Sequence, residues 1–229
     1  MKKLAIYSLF PMLLIGTLSL VGCGTEESYD EAYDELYALT TSFKGKASYK
    51  RVDELLNEIP EEFKDTKDIK DEYVAMRRYI VQLSEAYDLG YSESLGDTSR
   101  SSYIELYKAQ ATNKYWNISK FLTNVNIYKT AVFGKKWEDE NESYFHWYEN
   151  HGGEYEHFLS TNLPTGQKES ITYTFVYKVE DDALTFSYRN VEDKEDMYKA
   201  FIVKYIGYED EKLFVNISCL TNDRSYKLY

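Results

Sequence analysis

The chain has 229 residues, of which 39 are acidic and 27 basic, giving a net charge of −12 with histidine neutral. A surface this acidic argues against recognition of nucleic acid or anionic headgroups through a basic face; it serves either to attract cations or basic partners or simply to keep the surface solvated. Two cysteines, at positions 23 and 219, are too few for a disulfide framework.

In chain order, the first element is a leader. Lys2 and Lys3 give a basic start, and Leu4 to Leu20 form a nearly charge-free apolar run, followed by Val21, Gly22 and Cys23. The basic start, apolar run and small residue before the cysteine are the layout of an export signal. Leu20-Val21-Gly22-Cys23 resembles the lipobox of bacterial lipoproteins. The resemblance implies cleavage before Cys23, acylation of its thiol, and folding of the remainder outside the cytoplasm while tied to a membrane. Lys2 and Lys3 would leave with residues 1–22, so 25 of the 27 basic residues would face 39 acidic ones. Residues 23–28 are expected to be a short exposed tether.

Residues 29–132 are expected to be helical. Ala32, Leu36, Leu39 and Phe43 recur at helical spacing over Tyr29 to Phe43, with Ser28 as N-cap and Glu31 as its capping-box partner. Gly45 stops this helix, and Ser48 caps a second that buries Val52, Leu55, Leu56 and Ile59 before Pro60. A third, from Asp65 or Thr66 to about Leu89, carries Ile69, Tyr73, Met76, Ile80, Leu83 and Tyr87 as one narrow stripe. Tyr91 to Arg100 is polar, contains Gly96 and reads as a loop. Two weaker helices are expected over Ser102 to Ala111 and Ile118 to Val132. The segment Ser48 to Pro60, with the Lys64 to Ile69 opening that follows, resembles part of a tetratricopeptide-type repeat. No second copy appears 34 residues on, so the resemblance implies helical hairpins and no peptide groove.

Residues 133–229 change period and predict an antiparallel meander. The expected strands are Ser143 to Glu149, Glu154 to Leu159, Ile171 to Val179, Ala183 to Tyr188, Tyr198 to Ile206, Lys212 to Leu220 and Ser225 to Tyr229. Turn signals fall at His151-Gly152-Gly153, Glu180 to Asp182, Glu209 to Glu211 and Asn222-Asp223. A meander protects its edges by curling into a barrel. Cys219 is in phase with Leu213, Val215 and Ile217, which makes it a small buried hydrophobe. Phe133-Gly134-Lys135-Lys136-Trp137, leading into the meander, is similar to the Gly-Trp start of the lipocalin family, with two residues between Gly and Trp where the family has one. The resemblance implies a small barrel and a late basic residue packed on Trp137, either Arg224 or Arg189. The fold class is therefore α+β: N-terminal helical hairpins, then an antiparallel meander forming a small lipocalin-like barrel.

The three histidines, His146, His151 and His157, fall on one predicted hairpin. If its turn centres between His151 and Gly152, His146 stands opposite His157, close enough to share a metal. Centring it on Gly152-Gly153 breaks that pairing, and the alternative is three surface histidines. Tyr144, His146, Trp147, Tyr148 and His157 form the candidate binding cluster, with His146 and His157 as candidate metal ligands. The chain contains no Gly-x-Ser-x-Gly, His-Glu-x-x-His, phosphate-loop or dinucleotide motif, and Asp181-Asp182 and Glu192-Asp193 sit at turns. The leading expectation is a non-catalytic lipoprotein on the outer face of the cell membrane, without cofactor, meeting an envelope protein or wall polymer. A lipocalin-like carrier of a small apolar ligand comes second, and an enzyme third.

Overall fold

The computed structural model describes residues 26–229 apart from 87, 88, 90, 91, 124–128, 163, 181, 182 and 191–196. The leader, Cys23, Asp181-Asp182 and Glu192-Asp193 thus lie outside the described residues. Among those described, no helix is long and apolar enough to cross a membrane.

Among the described residues, five α-helices and a 3₁₀ turn precede the sheet. α1 (Glu26–Ser42) buries Tyr33, Leu36 and Thr40. It includes Glu26, Glu27 and Ser28, which the sequence assigns to the tether, so Ser28 lies within the helix and is not its N-cap. α2 (Lys46–Glu58) buries Tyr49, Val52, Leu55 and Leu56. Its N-cap is Gly45 at φ 128°, while Ser48 lies inside the first turn and accepts the Lys44 N–H at 3.2 Å. α3 (Thr66–Ala86) buries the expected Ile69, Tyr73, Met76, Ile80 and Leu83 stripe.

α4 (Glu93–Thr112) departs most from expectation, since the sequence reads its first half as a loop. Ser92 caps it by accepting the Leu95 N–H at 3.3 Å. Its buried face there consists of Gly96, Ser99 and Ser102, giving way to Tyr103 and Leu106. Gly96 is a close-approach residue and makes no turn: a Cβ would stand 2.3 Å from the Phe133 carbonyl oxygen. The expected Ile118 to Val132 helix is described only at its two ends, as α5 (Ser119–Leu122) and a 3₁₀ turn over Lys129–Val132.

Eight antiparallel strands follow in meander order: β1 (Lys136–Glu138), β2 (Tyr144–Trp147), β3 (Gly152–Asn162), β4 (Gln167–Glu180), β5 (Ala183–Asn190), β6 (Met197–Glu209), β7 (Lys212–Cys219) and β8 (Ser225–Leu228). β1 is additional to the seven expected strands. The β6–β7 turn places Asp210 and Glu211 at φ 47° and 62°, the left-handed pair that matches strand twist in a two-residue hairpin. A register shift between Val203 and Tyr205 turns Ile206 inward.

The sheet is strongly curled. β2 and β6 are four strands apart, about 19 Å in a flat sheet, yet the rings of Phe145 and Phe201 lie 5.9 Å apart. The ladder runs openly from β1 to β8. Beyond it, Glu138 and Tyr229 exchange two backbone hydrogen bonds, 2.9 and 2.7 Å long, that tie the first strand to the end of the last. One apolar cluster continues from Tyr33 in α1 to Leu228 in β8. α4 links its two parts, since the Tyr107 hydroxyl donates to the Ile206 carbonyl at 2.9 Å and its ring stacks on Tyr208.

Candidate functional site

The β2–β3 hairpin carries the histidines, and its register differs from both sequence alternatives. Tyr144 stands opposite Glu156, His146 opposite Glu154, and Trp147 opposite Gly153. The turn centres near Asn150, whose side chain accepts the Gly152 N–H at 3.1 Å, with His151 at φ 64°. Gly153, taken from sequence as a turn residue, is in the strand. A Cβ there would stand 2.3 Å from the Phe175 ring, so glycine is required for close approach. His157 pairs with Ile171 on β4. With side chains alternating between faces, His146 and His157 occupy opposite faces of the sheet and do not form the proposed metal pair. Among the described residues, no group of three or more His, Cys, Asp or Glu side chains is placed to hold a metal ion.

The candidate cluster therefore divides in three. Trp147 belongs to the core: it is fully buried, 5.2 Å from the Phe186 ring and edge-on to it. Tyr144 and His146 share the outer face of β2, and Tyr148 follows directly after it. There Lys136 donates to the Tyr144 hydroxyl at 2.8 Å, and the rings of His146 and Tyr148 lie 4.5 Å apart. His146 Nε2 is buried without a hydrogen-bond partner. Burial holds the His146 imidazole below its usual range, with Glu93 of α4 acting in the opposite sense. Burial and then the Glu154 carboxylate push the Tyr148 hydroxyl up to about 12.

His157 lies at one end of the curled sheet, its Nδ1 3.0 Å from the Tyr155 hydroxyl and 3.4 Å from the Ser143 hydroxyl. Ser143 also accepts the Phe158 N–H at 3.1 Å. Tyr155, Tyr173 and Tyr188 stack mutually with centroids 4.9 to 6.0 Å apart. Burial pushes Tyr155 up to about 12 and raises Tyr188 further, so both hydroxyls stay protonated. Between Phe145, Tyr155, Tyr188, Phe201 and Tyr226 remains a space of about 80 Å³. Sequence reasoning did not single out this tyrosine group, although Tyr155, Tyr173 and Tyr188 all lie in phase with the buried positions of their strands.

Between α4 and the sheet is a larger, open cleft of about 440 Å³. Arg100, Lys135 and Lys212 reach it from three separate elements, beside Asp97 and the apolar walls of Ile104 and Leu213. Lys135 Nζ lies 4.1 Å above the Trp137 ring. The cation on Trp137 is thus a neighbour in sequence; Arg224 is exposed, and the side chain of Arg189 lies outside the described residues. Trp137 itself is fully buried and donates its indole N–H to the Val132 carbonyl at 2.9 Å.

No protein-family model matches the chain, and neither a curated protein nor a solved structure matches it.

Proposed function

We propose that this chain is an extracytoplasmic lipoprotein, held to the membrane through an acylated Cys23, and that its folded part is a non-catalytic interaction module built on a small closed barrel. The location rests on Leu20-Val21-Gly22-Cys23 behind a basic, then apolar, leader. The barrel reading is supported by the paired Glu138 and Tyr229 hydrogen bonds and by the short distance between Phe145 and Phe201.

The observation that carries the module reading is the packed aromatic interior. Phe186 alone has the rings of Phe145, Trp147, Phe175 and Phe201 within 4.8 to 5.5 Å. A carrier of a drug-sized apolar molecule needs an enclosed space of roughly 300 Å³ or more; the space among the tyrosines is about 80 Å³. Recognition is therefore assigned to outer surfaces, facing an envelope protein or a wall polymer, and not to a lumen.

The anchor is tested by feeding an alkyne-tagged fatty acid to bacteria that express the full chain. The tag is expected on the membrane-bound protein and absent from the Cys23→Ser variant. A mature product that retains Met1, or labelling that survives the substitution, would contradict the anchor.

A further inference from the structure

We infer that the cleft between α4 and the start of β7 is a binding site for a phosphate monoester, held by Lys135 and Lys212 with Arg100 as its fixed wall. The inference is independent of the anchor.

Acidic residues outnumber basic ones by 12 in this chain, and many lysines are matched by a carboxylate, as in Lys64–Asp30, Lys70–Glu61, Lys168–Glu142 and Lys227–Glu209. Lys135 breaks that pattern. It is half-buried, yet among the described residues its ammonium has no ion pair or hydrogen bond, only the face of Trp137. Lys212, across the cleft, has no ion pair among them either. Burial, and then the adjacent Arg100 charge, hold the Lys135 ammonium below the usual lysine range, with Glu138 acting against them. A partly desolvated cation beside a second cation is unfavourable until an anion arrives.

The wall is preorganised. Arg100 donates through one nitrogen to the carbonyls of Ala131, at 2.9 Å, and Phe133, and through another to Asp97. Its side chain is only 12% exposed, and its guanidinium is fixed against the segment that carries Lys135. Asp97, the one carboxylate side chain lining the cleft among the described residues, is committed to Arg100. Asp97 offsets Arg100, so Lys135 and Lys212 are the cations left to meet the roughly −1.5 to −2 charge of a phosphate monoester at pH 7. Two flexible ammoniums on opposite walls suit a phosphate as a point charge, without demanding the planar fork of a carboxylate. Ile104, Leu213 and the cleft's volume leave room for a short organic substituent on the ester.

The test uses the full chain in neutral detergent, with glycerol phosphate as the soluble probe and phosphatidic acid, in the same micelles, as the headgroup probe. Isothermal titration is paired with tryptophan fluorescence, since Trp137 lies directly beneath Lys135. Saturable binding of at least one probe is expected, weakened tenfold or more by Lys135→Gln, weakened further by adding Lys212→Gln, and unchanged by Lys50→Gln on the exposed face of α2. Binding should weaken with added salt. Response to glycerol phosphate alone assigns a soluble ester; response to phosphatidic acid but not phosphatidylcholine assigns a lipid headgroup. Response to neither probe, or binding that Lys135→Gln leaves intact while the variant keeps its circular dichroism spectrum, would overturn the assignment.

Discussion

The helical and strand regions bury similar kinds of side chain but are locked differently. The helices are joined by charged and polar clasps around their apolar stripes. Arg51 spans α2 to Glu35 of α1 at 2.8 and 2.6 Å, and Arg77 of α3 grips Asp53 of α2 at 2.8 and 2.6 Å. The Tyr73 hydroxyl joins the latter at 3.0 Å, and the Glu72 carboxylate accepts the backbone N–H groups of Lys114 and Tyr115. Inside the sheet, ring faces and edges take that role, from Phe145 through Phe186 to Phe201. Helices expose long side chains that can pair across a groove, whereas a curled sheet converges its inner side chains where unpaired charge is costly. The helical part should therefore respond to acid, and the strand part to ring truncation.

The largest effect is expected at the centre of the rings. Phe186→Ala should cost about 3–5 kcal/mol by leaving a cavity among four aromatic neighbours. Urea unfolding and loss of near-ultraviolet circular dichroism would show it. Gly153→Ala forces a methyl group into the Phe175 ring and should cost about 1–3 kcal/mol, read in the same titration.

On the helical side, Asp53→Asn should cost about 1–2 kcal/mol, as a partly exposed charged clasp would. Arg77 and the Tyr73 hydroxyl hold the Asp53 carboxyl below its usual range. The wild type should thus lose this contribution as pH falls from about 4 toward the lowered folded value. The variant should show a flatter acid limb, and an identical limb would refute the clasp.

The smallest effect is expected at the seam, where His146 lies near Glu93 of α4. Its depressed value means that the unfolded chain binds more protons than the fold below about pH 6.5. Stability should therefore decline as pH drops through that window, and His146→Phe should make the slope shallower, measured by urea midpoints at pH 5 and pH 7.

Which elements were legible in the sequence follows from the kind of packing each uses. α2 and α3 show their buried stripes directly, and most strands show their alternation. The first half of α4 is hidden because it packs through Gly96, Ser99 and Ser102; Ser99 meets Thr130 at 2.8 Å, hydroxyl to hydroxyl, with no apolar period to detect. The hairpin register is hidden because Gly153 is a packing glycine that looks like a turn. The cleft is invisible for another reason: Arg100, Lys135 and Lys212 are far apart in sequence, and the acidic total masks a local positive site.

If the strand region is a closed and filled unit that meets its partner from outside, native-state hydrogen exchange at the amides of Glu138 and Tyr229 will show it. Their reciprocal hydrogen bonds predict protection comparable to interior amides of β5 and β6. Exchange at the rate of an open strand edge would contradict closure, and with it the argument against a lumen.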